Sequence, residues 1–447
     1  FDFYIFNYSV FEEFEQFIDL AWRIVLYWWW LPAFFWLSKK FDDYWKWWRT
    51  EMWFGTIWKP VLLEIKIPKL IPKPIKAMEA LFVALHGAIF NDPDWWEKYA
   101  SGEPQTSYKF EIASIDGKIH FYIRCHADYR DAVEAAVYSQ YPEAEIEAVP
   151  DYTKQIPMDI PNKDWDLFGW DYYTLKDPQF PIPTYEQYVE QGVEEEEIVD
   201  PFTALMEGMA KLKKGEQIWI QIHARPMYIS LSDGKAFVKK GEHIRDVLAK
   251  RIDEKKADLP PLWKELADFI IEGAKEKEEK QQELFPAEMR LTAGERETIE
   301  AVEKKIAKPF FGCYVRNIYL GRRDSWFPPN YRFLYNYFNH FTSPNLNSLW
   351  VWSKTLTRVK LSPIPFVNAI APRRAYVKKR RLLRVYRDRL NYYSPWGAKE
   401  GDLGAKIVLN VEEMATLFHF PSQIVSPTPG IQRTEAKETV APSNLPT

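Results

Sequence analysis

The sequence predicts an α+β protein: an N-terminal transmembrane helix, then a ferredoxin-like β-α-β-β-α-β unit, then a second α/β layer with a charged helical insertion. Three observations carry this. Ile24 to Ser38 is a charge-free run dense in aromatic residues. Between residues 60 and 150, period-two and period-3.6 hydrophobic patterns alternate in the order of that unit. From about 236 to 290 the composition turns to Lys and Glu, as in KEKEEK at 275–280. The 447 residues suffice for two or three domains, and 47% hydrophobic with 27% charged residues is the profile of folded material.

Of the 74 Phe, Trp and Tyr residues, 24 lie in the first 60 positions, a bias that a bilayer explains. The charge-free run has fifteen residues, short of the roughly 20 that span a membrane. Extension upstream to Phe17 gives a transmembrane helix over 17–38. It then includes Asp19 and Arg23, four apart and able to pair, and Pro32, which membrane helices tolerate. Trp22, Trp28, Trp29, Trp30 and Trp36 suit the water–lipid boundary as anchors. An amphipathic aromatic juxtamembrane segment follows over 39–57, and residues 1–16 form an N-terminal flank. Glu12, Glu13, Glu15 and Asp19 precede the span, while Lys39, Lys40, Lys46 and Arg49 follow it. The positive-inside rule therefore puts the bulk of the chain in the cytoplasm, on a single-pass anchor in the bacterial inner membrane. No small-residue cleavage site marks a signal peptide. The alternative is an aromatic core or interfacial helix. The chain opens on Phe1 rather than Met, as a fragment would.

Residues 58–152 predict the ferredoxin-like domain. Leu63, Ile65 and Ile67 alternate with Glu64 and Lys66 in a half-buried strand. A helix follows with Met78, Leu81, Phe82 and Leu85 on one face and Gly87 as its cap. Tyr108, Phe110 and Ile112 alternate next, Asp116-Gly117 signals a hairpin, and Ile119, Phe121 and Ile123 return. A second helix carries Ala132, Val133, Ala136 and Val137, and 144–149 close the unit as a strand.

Residues 153–421 predict a second α+β domain around the insertion 236–290. Its elements are an extended Phe168–Leu175, a helix from Pro201 with Asp200 as N-cap, and a strand from Gln217 to Ala224. A helix opened by the capping box Thr292/Glu295 and a strand Phe310–Leu320 follow. Residues 331–341 read as helix, and 342–372 show no period. Residues 422–447, rich in Pro, Ser and Thr, read as a linker or tail.

No catalytic chemistry is legible, and no catalytic, cofactor-binding or metal-binding residue is assigned. No phosphate-binding GxxxxGK[ST] loop is present, and GDLGAK at 401–406 has the wrong spacing. The seven histidines form no HExxH pair, and Cys125 and Cys313 form no CxxC. A hydrolase using carboxylates among Asp164 to Asp171 is the enzymatic alternative. One segment stands out. Between 373 and 389, Arg373, Arg374, Lys378, Lys379, Arg380, Arg381, Arg384, Arg387 and Arg389 face a single acid, Asp388, with Tyr376 and Tyr386 interleaved. Such a patch suits phosphates of DNA or RNA, or anionic lipid headgroups. It reads equally as a solvated helix or as a partner of the acidic insertion.

Several strings resemble an uncharacterised bacterial domain family of candidate-phylum (Patescibacteria-like) genomes. They are WKPVLLEIKIPKLIPKPIKAMEALF at 58–82, VEAAVYSQYPEAEIEAVPDY at 133–152, LKKGEQIWIQIHARP at 212–226, GERETIEAVEKKIAKP at 294–309 and LNVEEMATLFHFP at 409–421. The resemblance implies the membrane-anchored N-terminal region of conjugation-type, HerA/FtsK-like ATPases of type IV secretion systems. The motor would follow an NLP-like linker, here Asn444-Leu445-Pro446. It further implies a DNA-translocation context, a bilayer, a separate or missing ATPase and homo-oligomerisation as partners, and no nucleotide hydrolysis by this chain. A membrane-surface scaffold with no link to DNA is the second reading.

Overall fold

Strand alternation organises most of the chain in a computed structural model that describes residues 19, 22–23, 26–68, 75–89, 94–188, 200–249, 291–359, 368–389, 407–421 and 433–434. Strands β1 (Pro60–Pro68), β2 (Tyr108–Ile115), β3 (Lys118–His126) and β4 (Glu145–Ala148) stand in the order β4-β1-β3-β2, every pairing antiparallel. Helix α2 (Lys76–Ala88) joins β1 to β2, and α3 (Arg130–Gln140) joins β3 to β4. This is the split β-α-β order of a ferredoxin-like unit. Asp116 and Gly117 both take positive φ, 54° and 81°, and turn the β2–β3 hairpin. Met78, Leu81, Phe82 and Leu85 are the buried face of α2. Gly87, read as its cap, lies within the helix instead.

The same topology occurs a second time. Strand β5 (Trp165–Thr174), helix α4 (Pro201–Ala210), strands β6 (Glu216–Met227) and β7 (Phe310–Arg322), helix α7 (Tyr331–Asn339) and strand β8 (Leu349–Val351) follow one another. Their sheet order is β8-β5-β7-β6, again antiparallel throughout. Where the first unit has a two-residue hairpin, the second inserts α5 (Ser232–Leu248) and α6 (Ala293–Ala307). The insertion read at 236–290 thus begins inside α5, and its part from 250 to 290 lies outside the described residues. β2 and β6 pair antiparallel from Tyr108↔Ala224 to Ile115↔Gln217, so residues 58–152 and 153–421 share one ten-stranded sheet. β9 (Ile407–Asn410) adds to the start of β7, and β10 (Arg433–Thr434) lies parallel to β1.

The two sheet faces are covered differently. One packs α2, α3, α4, α7 and α9 (Val411–Leu417) around Phe82, Phe110, Phe121, Phe202 and Phe418. The other is covered by α8 (Ala371–Asp388), through Leu382, Leu383 and Tyr386, and by Tyr152, Ile156 and Ile160.

The described residues 19, 22–23, 26–58 and 94–105 belong to a separate unit, and it corrects the membrane prediction. Helix α1 runs from Trp30 to Thr56 as one 27-residue element, straight through residue 38, where the span was to end. No helix among the described residues is long and apolar enough to cross a membrane. The charge-free run is too short, and Lys39, Lys40, Asp42, Asp43, Lys46 and Arg49 enter the same helix. Five of its fifteen residues, Tyr27, Trp28, Trp29, Trp30 and Trp36, are aromatic with an N–H or O–H group that makes them amphipathic rather than purely apolar. The transmembrane helix over 17–38 is therefore overturned. Its anchors Trp22, Trp28, Trp29, Trp30 and Trp36 are all exposed, and Asp19 and Arg23 do pair, at 2.8 Å. Residues 1–16 and most of 422–447 lie outside the described residues.

Candidate functional site

Helix α8 carries the basic segment. Pro372 in its first turn presets the helical φ, and Ala371, Leu382, Leu383, Val385 and Tyr386 form its buried seam. At 100° per residue, Arg373, Arg380 and Arg384 fall within about 40° of one another, opposite that seam. Arg374 and Arg381 form the adjacent row. All five are exposed. Arg380 donates to the Tyr376 hydroxyl at 2.8 Å, and Arg384 lies 3.5 Å from Asp388 while its side chain stays 74% exposed. Exposed contacts of this kind are worth little and leave the guanidinium groups of Arg380 and Arg384 accessible to a ligand.

The other four predicted cations do structural work. Lys378 donates to the carbonyls of Ser353 and Leu356 at 3.2 and 3.1 Å, and burial lowers its pKa. Lys379 pairs with Asp166 at 2.6 Å, and Arg387 donates to the Ile156 carbonyl at 2.9 Å. Arg389 is buried, at 4% exposure. Its Nε and Nη2 donate to the two oxygens of Glu111 at 2.9 and 3.0 Å, and Asp151 takes Nη2 at 3.0 Å. Burial opposes the charge on Arg389, but the Glu111 carboxylate raises its pKa well above the ordinary value. Burial likewise pushes Glu111 up, and the Arg389 charge more than offsets it, holding that carboxyl below its usual range.

Glu111 belongs to a polar row that sequence reading missed. Tyr122, Glu111, Gln221, Arg316 and Asp171 stand in register on β3, β2, β6, β7 and β5. Gln221 donates to Glu111 at 2.9 Å, Arg316 to Asp171 at 2.7 Å, and the hydroxyls of Tyr152 and Tyr386 meet at 2.9 Å beside Glu111. The alternation on each strand marks these as the polar face. Nothing in a single strand signals that α8 covers it.

Other clusters are ion-paired in the same way. Glu79, Glu186 and Glu412 bring carboxylate oxygens within 4.8 Å of one another, the one group with metal-like spacing among the described residues. Lys308 fills it, 2.7 Å from Glu79 and 2.8 Å from Glu412, and Lys304 pairs with Glu186 and Glu412. Buried Lys305 and Glu413 pair at 3.0 Å. His419 bonds Asp200 at 2.7 Å and the Ala415 carbonyl at 3.0 Å. Of the carboxylates between 164 and 171, Asp166 and Asp171 are held by Lys379 and Arg316, which does not leave a free acid and base facing one substrate. Burial pushes the Cys125 thiol up to about 12, away from nucleophilic use. Comparison with known proteins returns no match to a family model, to a curated protein or to a solved structure.

Proposed function

We propose that the chain is a non-catalytic module that binds nucleic acid through α8, as an accessory to a DNA-translocating, HerA/FtsK-like ATPase. The observation that carries this reading is the stripe of five exposed arginines, Arg373, Arg374, Arg380, Arg381 and Arg384, on one side of a helix whose other side is anchored in the core. Guanidinium groups pair with phosphate oxygens in two-pronged geometry, which favours Arg over Lys at such a surface. The 1.5 Å rise spaces Arg373, Arg380 and Arg384 by roughly 10 and 6 Å along the axis, a linear array suited to a phosphate backbone. The ATPase partner and the translocation setting rest on the family resemblance of the strings quoted above.

A scaffold reading gives the same stripe to anionic lipid. Helices that lie on membranes place an apolar face in the acyl region beside their basic face, whereas α8 spends Leu382, Leu383 and Tyr386 on the sheet side and exposes only Tyr376 and Val377 among its large apolar side chains. That favours nucleic acid. Fluorescence anisotropy with labelled single- and double-stranded DNA between 50 and 200 mM salt tests the proposal. Three to five phosphate contacts give a log–log slope of about −3 to −4.5. Absence of binding at 50 mM salt, or binding indifferent to salt, contradicts it.

A further inference from the structure

Helix α1 presents an apolar stripe to solvent. Trp30, Phe34, Leu37, Phe41, Tyr44, Trp48 and Met52 recur at spacings of three and four, one side of a helix, and each is 40–62% exposed. With roughly half of about 200 Å² open on each large side chain, the stripe amounts to on the order of 700 Å². A monomer in water rarely exposes more than a few hundred Å² of contiguous apolar surface. The opposite side changes along the helix. Near the start it is apolar too, with Trp28, Trp29, Phe35 and Trp36 exposed. From Lys39 onward it carries Lys39, Asp42, Asp43 and Lys46, and Lys46 pairs with Asp42 at 2.7 Å.

A second, sequence-remote element continues the surface. The turn Glu97–Ser101 docks on α1, where Gly102 at φ 74° meets the backbone of Arg49. Tyr99 lies against Trp45 at 6.0 Å between ring centroids, and the Trp45 indole donates to the Tyr99 carbonyl at 2.9 Å. Trp95 stacks on Tyr99 at 5.2 Å with 10° between planes, and both Trp95 and Trp96 are exposed.

We infer that α1 is an interfacial helix that lies along a lipid surface, with the Trp30–Met52 stripe turned into the acyl boundary and Trp95 and Trp96 reaching the same interface. The residue chemistry selects this occupant over a second copy of the chain. A two-stranded seam accepts knobs of Leu, Ile or Val size, and Trp30, Phe34, Phe41 and Trp48 are too bulky for its holes. A seam on one side would also leave the aromatic residues at the start of the helix in water. Indole and phenol rings, apolar in body and polar at one edge, fit the headgroup boundary. All-round apolarity up to Leu37, giving way to a polar far side from Lys39, makes the helix deepest at its N-terminal end.

Flotation of the full chain with vesicles tests this, using zwitterionic phosphatidylcholine alone and a mixture with phosphatidylglycerol. The chain is expected to float with both, and so is the variant R373E/R380E/R384E, because insertion of apolar side chains does not depend on the arginine stripe of α8. Phe34→Glu with Phe41→Glu is expected to lower partitioning at least tenfold while the thermal transition stays in place, since both rings are exposed. Retention of wild-type partitioning by that pair, or no flotation of the wild type, overturns the inference. So does a discrete oligomer in sedimentation that the pair dissociates, which would give the stripe to a second copy.

Discussion

Arg389 shows how far two arginines in one basic segment differ in role. Arg384 projects into solvent, while Arg389, five residues on, sits just past the end of α8 with φ 50°, a left-handed conformation that usually falls to Gly or Asn. The bidentate bond to Glu111 and the contacts to Asp151 hold it there. Removing one partner of a buried pair leaves the other charge uncompensated, at a cost of about 3–5 kcal/mol, so Arg389→Met should lower the unfolding free energy from urea titration by that order at pH 7. The pH dependence has a definite sign. A carboxyl whose folded pKa is depressed contributes stability above its ordinary value of 4.5, and the contribution is lost as pH falls through the lower folded value. Without Arg389, burial is offset only by the Arg124 charge and the Tyr152 hydroxyl, so the Glu111 pKa rises relative to wild type and acidification costs the variant less. The stability gap between wild type and Arg389→Met should therefore narrow between pH 7 and pH 4 in paired urea titrations. A constant gap would contradict the role assigned to Glu111.

At the scale of elements, α8 reaches the sheet because β5 offers it a glycine. A Cβ on Gly169 would lie 2.4 Å from the Asn317 carbonyl oxygen and 2.8 Å from Leu382. Gly169→Val should cost about 1–3 kcal/mol or more by overpacking and should raise hydrogen exchange across α8 more than across α2 on the opposite face. Unchanged exchange in α8 would mean that the helix docks without this close approach. Local devices were legible from sequence because they are local. The Asp116-Gly117 turn, the Asp200 N-cap and the Thr292/Glu295 capping box each occupy a few residues with fixed chemistry. The cover over the polar face of the sheet was not legible, since strand period reports that a face is polar, not what lies on it. The aromatic run at Ile24–Ser38 misled for a related reason: aromatic density was read as apolar length, and the helix it opens is charged from Lys39 onward.

The larger of the two units is built on one ferredoxin-like topology used twice and joined through β2 and β6 into a single sheet. The first copy could be read from its pattern because its middle strands, β2 and β3, are joined by the two-residue Asp116-Gly117 turn. The second was seen only as a layer, because the α5–α6 insertion parts β6 from β7 and the last strand, β8, has three residues. The continuous sheet gives α8 a rigid seat, and the exposed arginines are displayed from that seat rather than from a mobile tail. This separates display from structure, and two variants of one segment test the separation most directly. R373E/R380E/R384E and Arg389→Met are compared for DNA affinity at 100 mM salt and for thermal midpoint. The triple variant should lose at least tenfold in affinity with its midpoint within about 2 °C of wild type, as surface changes outside the core do. Arg389→Met should lose several degrees in midpoint and retain DNA affinity at temperatures where it is folded. Full DNA affinity in the triple variant would contradict the account, because the stripe would then be a solvated face and no more.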